Sequence, residues 1–101
     1  MNKFMMQQAQ KLQAQLAKAQ EELGNLVLEA SSGGGAVKVT VDGHQKVLSV
    51  KISPEVLNAE DSELLEDMVL TAVNDALAKA QEAASKQLGS LTGGMKIPGL
   101  M

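Results

Sequence analysis

Apolar residues fall at Met5, Ala9, Leu12, Leu16, Ala19 and Leu23, at spacings of four, three, four, three and four. That is a heptad seam, and strong helix formers (Gln, Met, Ala) surround it from Asn2 to about Gly24. Gln and Lys flank the seam, so this helix presents one thin apolar stripe. A stripe that narrow predicts an arm that projects and pairs. It has two readings, packing on another helix of the same chain or contact between copies. The expectation is a mixture, with the C-terminal half packed at home and the N-terminal half projecting. Gly24-Asn25 marks the expected C-cap.

The period then changes. Residues 26–30 read as a short strand, followed by a Ser-Ser-Gly-Gly-Gly loop at 31–35. Val37, Val39 and Val41 alternate with Lys38 and Thr40, the period of two that marks a half-buried strand. Asp42-Gly43 signals a hairpin turn. Beyond it Leu48, Val50 and Ile52 alternate with Val47, Ser49 and Lys51. Three strands with one apolar face need a helix over that face. Ser53-Pro54 opens a helical turn, since Ser caps well and Pro fits the first position. Asn58 is a second cap, and Glu60, Asp61 and Glu63 suit the positive end of a helix dipole. The second helix spans about 59–88, with a stripe of Leu65, Met68, Ala72 or Val73, Ala76 or Leu77, Ala80, Ala84 and Leu88.

The expected fold class is therefore α+β, a helix, a three-stranded antiparallel sheet and a helix. A single domain fills residues 1–101: arm helix 1–24, sheet 25–53, second helix 59–88 and a loosely ordered tail 89–101. A core this small makes oligomerisation a cheap way to hide apolar surface. Cysteine is absent, so disulfides and thiolate metal sites are excluded. No apolar h-region follows Met1-Asn2-Lys3 and no run reaches the roughly 18 apolar residues of a membrane span, so the expected compartment is the cytoplasm, without a membrane partner. Phe4 is the one aromatic residue, so the chain offers no ring platform of the kind that single-strand readers use.

A net charge of −3 argues on average against a polyanion partner. The average hides a segregation. Glu55, Glu60, Asp61, Glu63, Glu66, Asp67 and Asp75 give residues 54–75 a charge of −7 with no lysine, so the rest of the chain carries +4. The simplest reading of the acidic block is helix-start electrostatics and a solvated face; its functional reading is a site for a basic protein partner, or a face that repels DNA and so orients the dimer.

Five segments resemble, in order and at the right spacing, the YbaB/EbfC family of bacterial nucleoid-associated proteins: MMQQAQKLQAQLAKAQEEL (5–23), SSGGGAVKVTVDG (31–43), VKISPEVL (50–57), LLEDMVLTAVNDALAKA (64–80) and LTGGMKIPGLM (91–101). The resemblance implies a tweezer-like homodimer with projecting N-terminal helices that binds double-stranded DNA with little sequence preference. It also implies a place in the nucleoid and an effect on nucleoid organisation and gene expression. One departure matters. The family often carries an Arg-Arg pair where this chain has Leu48-Ser49, and an Arg where it has Ala78. With no Arg at all, the best bidentate phosphate and guanine ligand is missing, and base-specific readout is not expected.

Backbone binding needs only cations placed where phosphates pass, and Lys serves as a point charge. Asp75–Lys79 and Glu82–Lys86 have the spacing of i,i+4 ion pairs, and Lys18 has Glu21 and Glu22 within a turn. Those three lysines read as surface pairs. Lys3 and Lys11 on the arm and Lys38, Lys46 and Lys51 on the hairpin lack such neighbours and are the candidate DNA contacts. Met5, Ala9, Leu12, Leu16, Ala19 and Leu23 are the candidate dimerisation residues. The alternative function is a protein-interaction adaptor working through the arm or the acidic helix with little DNA affinity.

Enzyme chemistry has no foothold. Catalytic carboxylates must converge in a pocket, whereas these acids lie along one helical run. His44 stands alone beside the hairpin turn and cannot hold structural zinc by itself. The glycine loop leads into a strand with no Lys-Ser/Thr after it, so it is a turn and not a phosphate cradle. No cofactor or metal is expected.

Overall fold

The computed structural model describes residues 2–91. Helix α1 spans Lys3–Asn25, strands β1, β2 and β3 span Val27–Ser32, Val37–Asp42 and Val47–Ile52, and helix α2 spans Ser62–Leu91. Short 3-10 turns cover Gly33–Gly35, Pro54–Val56 and Ala59–Asp61. The sheet is antiparallel in the order β1-β2-β3. The α+β architecture read from the sequence is the one the chain adopts.

The caps follow from side-chain chemistry. The Asn2 amide oxygen accepts the main-chain N–H of Met5 at 2.8 Å, satisfying one of the free donors at the start of α1. Ser53 and Asn58 do the same for Glu55 and Glu60. Gly24 does not end α1, which continues through Asn25. Its small size serves packing instead, since a Cβ there would lie 3.2 Å from the His44 ring.

The core is thin and aliphatic. Val37, Val39 and Val41 point from β2 toward α2, which answers with Ala72, Ala76 and Ala80, all fully buried. Alanines four apart form a smooth stripe that lets the helix sit close on the sheet. α2 lies over β1 and β2. Strand β3 is left largely outside its cover, and Val47 and Val50 remain 42% and 44% exposed.

The β2–β3 pairing carries an irregularity between Thr40 and Val41. Val47 stands opposite Val41 and Val50 opposite Val39, so Leu48 is the extra residue of a bulge. The simple alternation expected for Leu48, Val50 and Ile52 is broken there. β1 also runs two residues further than expected, taking in Ser31 and Ser32.

Three hydrogen bonds fix how α2 runs. The Ser32 hydroxyl donates to the Met68 carbonyl, the Gln45 amide to the Leu77 carbonyl at 3.4 Å, and the Gln87 amide to Glu22 Oε2 at 2.8 Å. α2 therefore starts at the glycine-loop end, crosses the sheet to the hairpin and finishes beside the last turns of α1. Gly89 to Leu91 belong to this helix; the remainder of the expected tail lies outside the described residues.

Candidate nucleic-acid interface

The hairpin turn is built around Asp42. Its carboxylate accepts the main-chain N–H groups of His44 at 2.8 Å and Lys46 at 2.9 Å. Those donors, Lys46 first, hold the Asp42 carboxyl below its ordinary value, against a burial that pushes it up. The turn closes with Gln45 at φ 65°, the left-handed position of a three-residue hairpin loop. Gly43 donates its N–H to the Leu23 carbonyl at 2.9 Å, tying the turn to the end of α1. Lys46 is thus held at the corner where arm and sheet meet, its side chain exposed.

Lys38 and Lys51 stand directly opposite one another on β2 and β3. Alternation from the buried valines places both on the sheet face away from α2, as their sequence pattern predicts. Ser31 stands beside Lys38 on β1, and Thr40 and Ser49 share a hydroxyl hydrogen bond in the next row. Two like charges in direct cross-strand register oppose folding by a few tenths to about 1 kcal/mol. Neither forms an ion pair among the described residues.

On the arm, every residue from Asn2 to Lys18 is exposed. Lys11 and Lys18, seven apart, share one helical face, with Lys3 on its border. The seam residues Met5, Ala9, Leu12 and Leu16 run alongside that face, about a third of a turn around the helix, and Lys11 lines a shallow groove with Ala9 and Leu12. Ala19 and Leu23, which continue that seam, are buried against the chain's own elements. The structure therefore divides the six seam positions at about Ala19, and the site has two separate parts, the arm and the sheet face.

The ion pairing differs from what spacing predicts. Lys86–Glu82 forms at 3.3 Å. Lys79 passes over Asp75 and donates to the Glu29 carbonyl at 2.8 Å, where it pins α2 to the outer edge of β1. Glu22 is engaged by Gln87, and Lys18 forms no ion pair among the described residues. Lys18 joins Lys11 as an unpaired cation, which its acidic neighbours in the sequence conceal. Across the described residues no cluster of His, Cys, Asp and Glu could hold a metal, and no helix is long and apolar enough to cross a membrane.

An open basic sheet face and a basic arm are surfaces, not pockets, and comparison with known proteins gives them a context. The model of the YbaB/EbfC DNA-binding family matches residues 1–95. The chain belongs to the YbaB/EbfC family. A protein of Pelotomaculum thermopropionicum named nucleoid-associated protein is 53% identical over 96 residues, covering 95% of this chain and 91% of its own. One of Desulforamulus reducens with the same name is 53% identical over 100 residues, covering 99% and 94%. An uncharacterised protein of Helicobacter pylori superposes with a TM-score of 0.82 at 20% identity, covering 92% of this chain and 99% of that one, a likeness of fold. This member of the family carries its cationic surface on lysine alone.

Proposed function

We propose that this protein binds the phosphate backbone of double-stranded DNA with little sequence preference, acts as a homodimer, and works in the nucleoid, where it affects nucleoid organisation and gene expression. The observation that carries this reading is the set of unpaired lysines. Acids outnumber lysines twelve to nine, yet Lys3, Lys11, Lys18, Lys38, Lys46 and Lys51 form no ion pair among the described residues. Two of them face each other across the sheet at a cost to folding. Cations left free and juxtaposed in this way suit a polyanion that neutralises both.

The uncovered apolar surface supports the homodimer. Lys79 leans toward β1 while Gln45 reaches α2 at Leu77, so the β3 side of α2 carries Leu70, Val73, Leu77 and Leu88. That flank lies beside the apolar side of β3, where Val47 and Val50 are exposed. A second α2 packed there would cover both, and two-fold symmetry would make the contact reciprocal. Each sheet is then covered by its own helix and its partner's. The free seam residues Met5, Ala9, Leu12 and Leu16 add contact between copies where arms meet.

Replacing Lys38, Lys46 and Lys51 together by Gln tests the DNA reading. Binding to a mixed-sequence duplex should weaken, and the slope of log K against log salt should flatten by about 0.9 for each phosphate no longer neutralised. An unchanged slope would remove the hairpin from the interface.

A further inference from the structure

Phe4 is the one aromatic residue in the chain, and it is not in the core. It lies in the first turn of α1, 67% exposed. A lone ring in a small protein ordinarily anchors the core, where its burial is worth more than that of any aliphatic side chain. Here valine and alanine fill that role and the ring is carried to the far end of the arm.

Its position on the helix is specific. Phe4, Lys11 and Lys18 follow at intervals of seven, so ring and cations stand in one row that flanks the apolar seam, about a third of a turn around the helix from it. Seven residues of helix rise about 10.5 Å. That is roughly three base steps of duplex at about 3.4 Å each. Whatever phosphates Lys11 and Lys18 engage, the same approach carries Phe4 onto the same duplex. Pairing of Met5, Leu12 and Leu16 with protein leaves this row free.

We propose that Phe4 is a wedge that enters a base step of duplex DNA, partly unstacks it and kinks the duplex. The inference rests on the DNA-binding reading above and adds an activity to it. Lys11 and Lys18 hold the arm against the backbone, and the ring supplies the apolar edge that separates two base pairs, as inserted Phe, Leu, Ile and Met side chains do in architectural proteins. Pyrimidine–purine steps open most easily, so a weak preference for them accompanies binding that is otherwise indifferent to sequence.

The test uses the full-length protein and a short duplex with 2-aminopurine in a single central TA step, whose fluorescence rises when the base unstacks. The wild-type protein at saturation should raise it, Phe4→Leu should retain most of the rise, and Phe4→Ala should lose it. Phe4→Ala should keep the helical circular dichroism and the salt slope of the wild type, because the ring is exposed and uncharged. A saturated duplex with unchanged fluorescence, or an equal rise with Phe4→Ala, overturns the wedge while leaving backbone binding standing. Absence of any gel shift at low salt overturns the DNA reading itself, and with it the wedge.

Discussion

At the scale of single residues, Lys51 tests whether stability and the proposed DNA binding conflict. It faces Lys38 directly, so Lys51→Glu replaces a repulsion with a cross-strand ion pair. The substitution should raise stability to urea by a few tenths to about 1 kcal/mol and weaken DNA binding at the same time. Denaturation and gel shift on the same preparation check both signs; a variant that is more stable and binds equally well would show that the pair has no part in binding. Gly43 acts through space. A Cβ there would lie 2.4 Å from the Leu23 carbonyl oxygen, a main-chain atom that cannot swing aside. Gly43→Ala should cost about 1–3 kcal/mol, the range for overpacking, as the turn and the end of α1 are pushed apart. Asp42 sets a pH limit. Its carboxyl is held below the ordinary value by the N–H groups of Lys46 and His44, so its stabilising contribution is complete above that ordinary value. The contribution disappears as pH falls from there through the lowered folded value. Urea denaturation of Asp42→Asn should therefore show a deficit at neutral pH that narrows on the acid limb; a deficit constant with pH would mean that the charge contributes nothing.

Elements are legible in the sequence wherever one pattern dominates. The heptad stripe of α1, the Val37-Val39-Val41 alternation and the Ser53 cap each express one physical demand, and each element forms where that demand places it. Asn58 caps only the 3-10 turn Ala59–Asp61, so α2 begins at Ser62 and not at about 59. The bulge in β3 is not legible, because Val47 and Leu48 are both apolar and alternation cannot choose between them. Nor is the continuation of α1 through Gly24, since a glycine kept for the His44 ring looks the same in sequence as one that ends a helix. The free lysines are half legible: opposite faces of a strand follow from period two, whereas the Lys79 hydrogen bond to Glu29 joins residues 50 apart in the chain. At this scale the partial cover of the sheet also has a consequence. Val50→Lys, placed on the exposed apolar side of β3, should leave the chain folded and shift it from dimer to monomer in sedimentation equilibrium. A dimer that persists unchanged would locate the self-contact elsewhere.

For the whole molecule, the dominant feature is a separation of charge along a long body. The Cα positions extend 68 Å along the principal axis and only 25 and 17 Å across it. The arm with Lys3, Lys11 and Lys18 lies at the hairpin end of the sheet. Glu55, Glu60, Asp61, Glu63, Glu66 and Asp67 gather at the other end, where α2 begins. A net charge of −3 therefore says little about partners, because the field near the arm has the opposite sign to the total. Under the proposed DNA-binding function, an acidic pole turned from the polyanion would orient the approach so that the arm meets DNA first. The most direct measurement is a gel-shift titration of the wild-type protein on mixed-sequence duplex at about 50 and about 200 mM salt, the range over which phosphate contacts govern affinity. Lysine–phosphate binding predicts a shift at the lower salt that weakens steeply at the higher, alike for unrelated sequences. A folded protein that fails to shift the duplex even at the lower salt would contradict it, and would direct the search to a protein partner of the arm or the acidic pole.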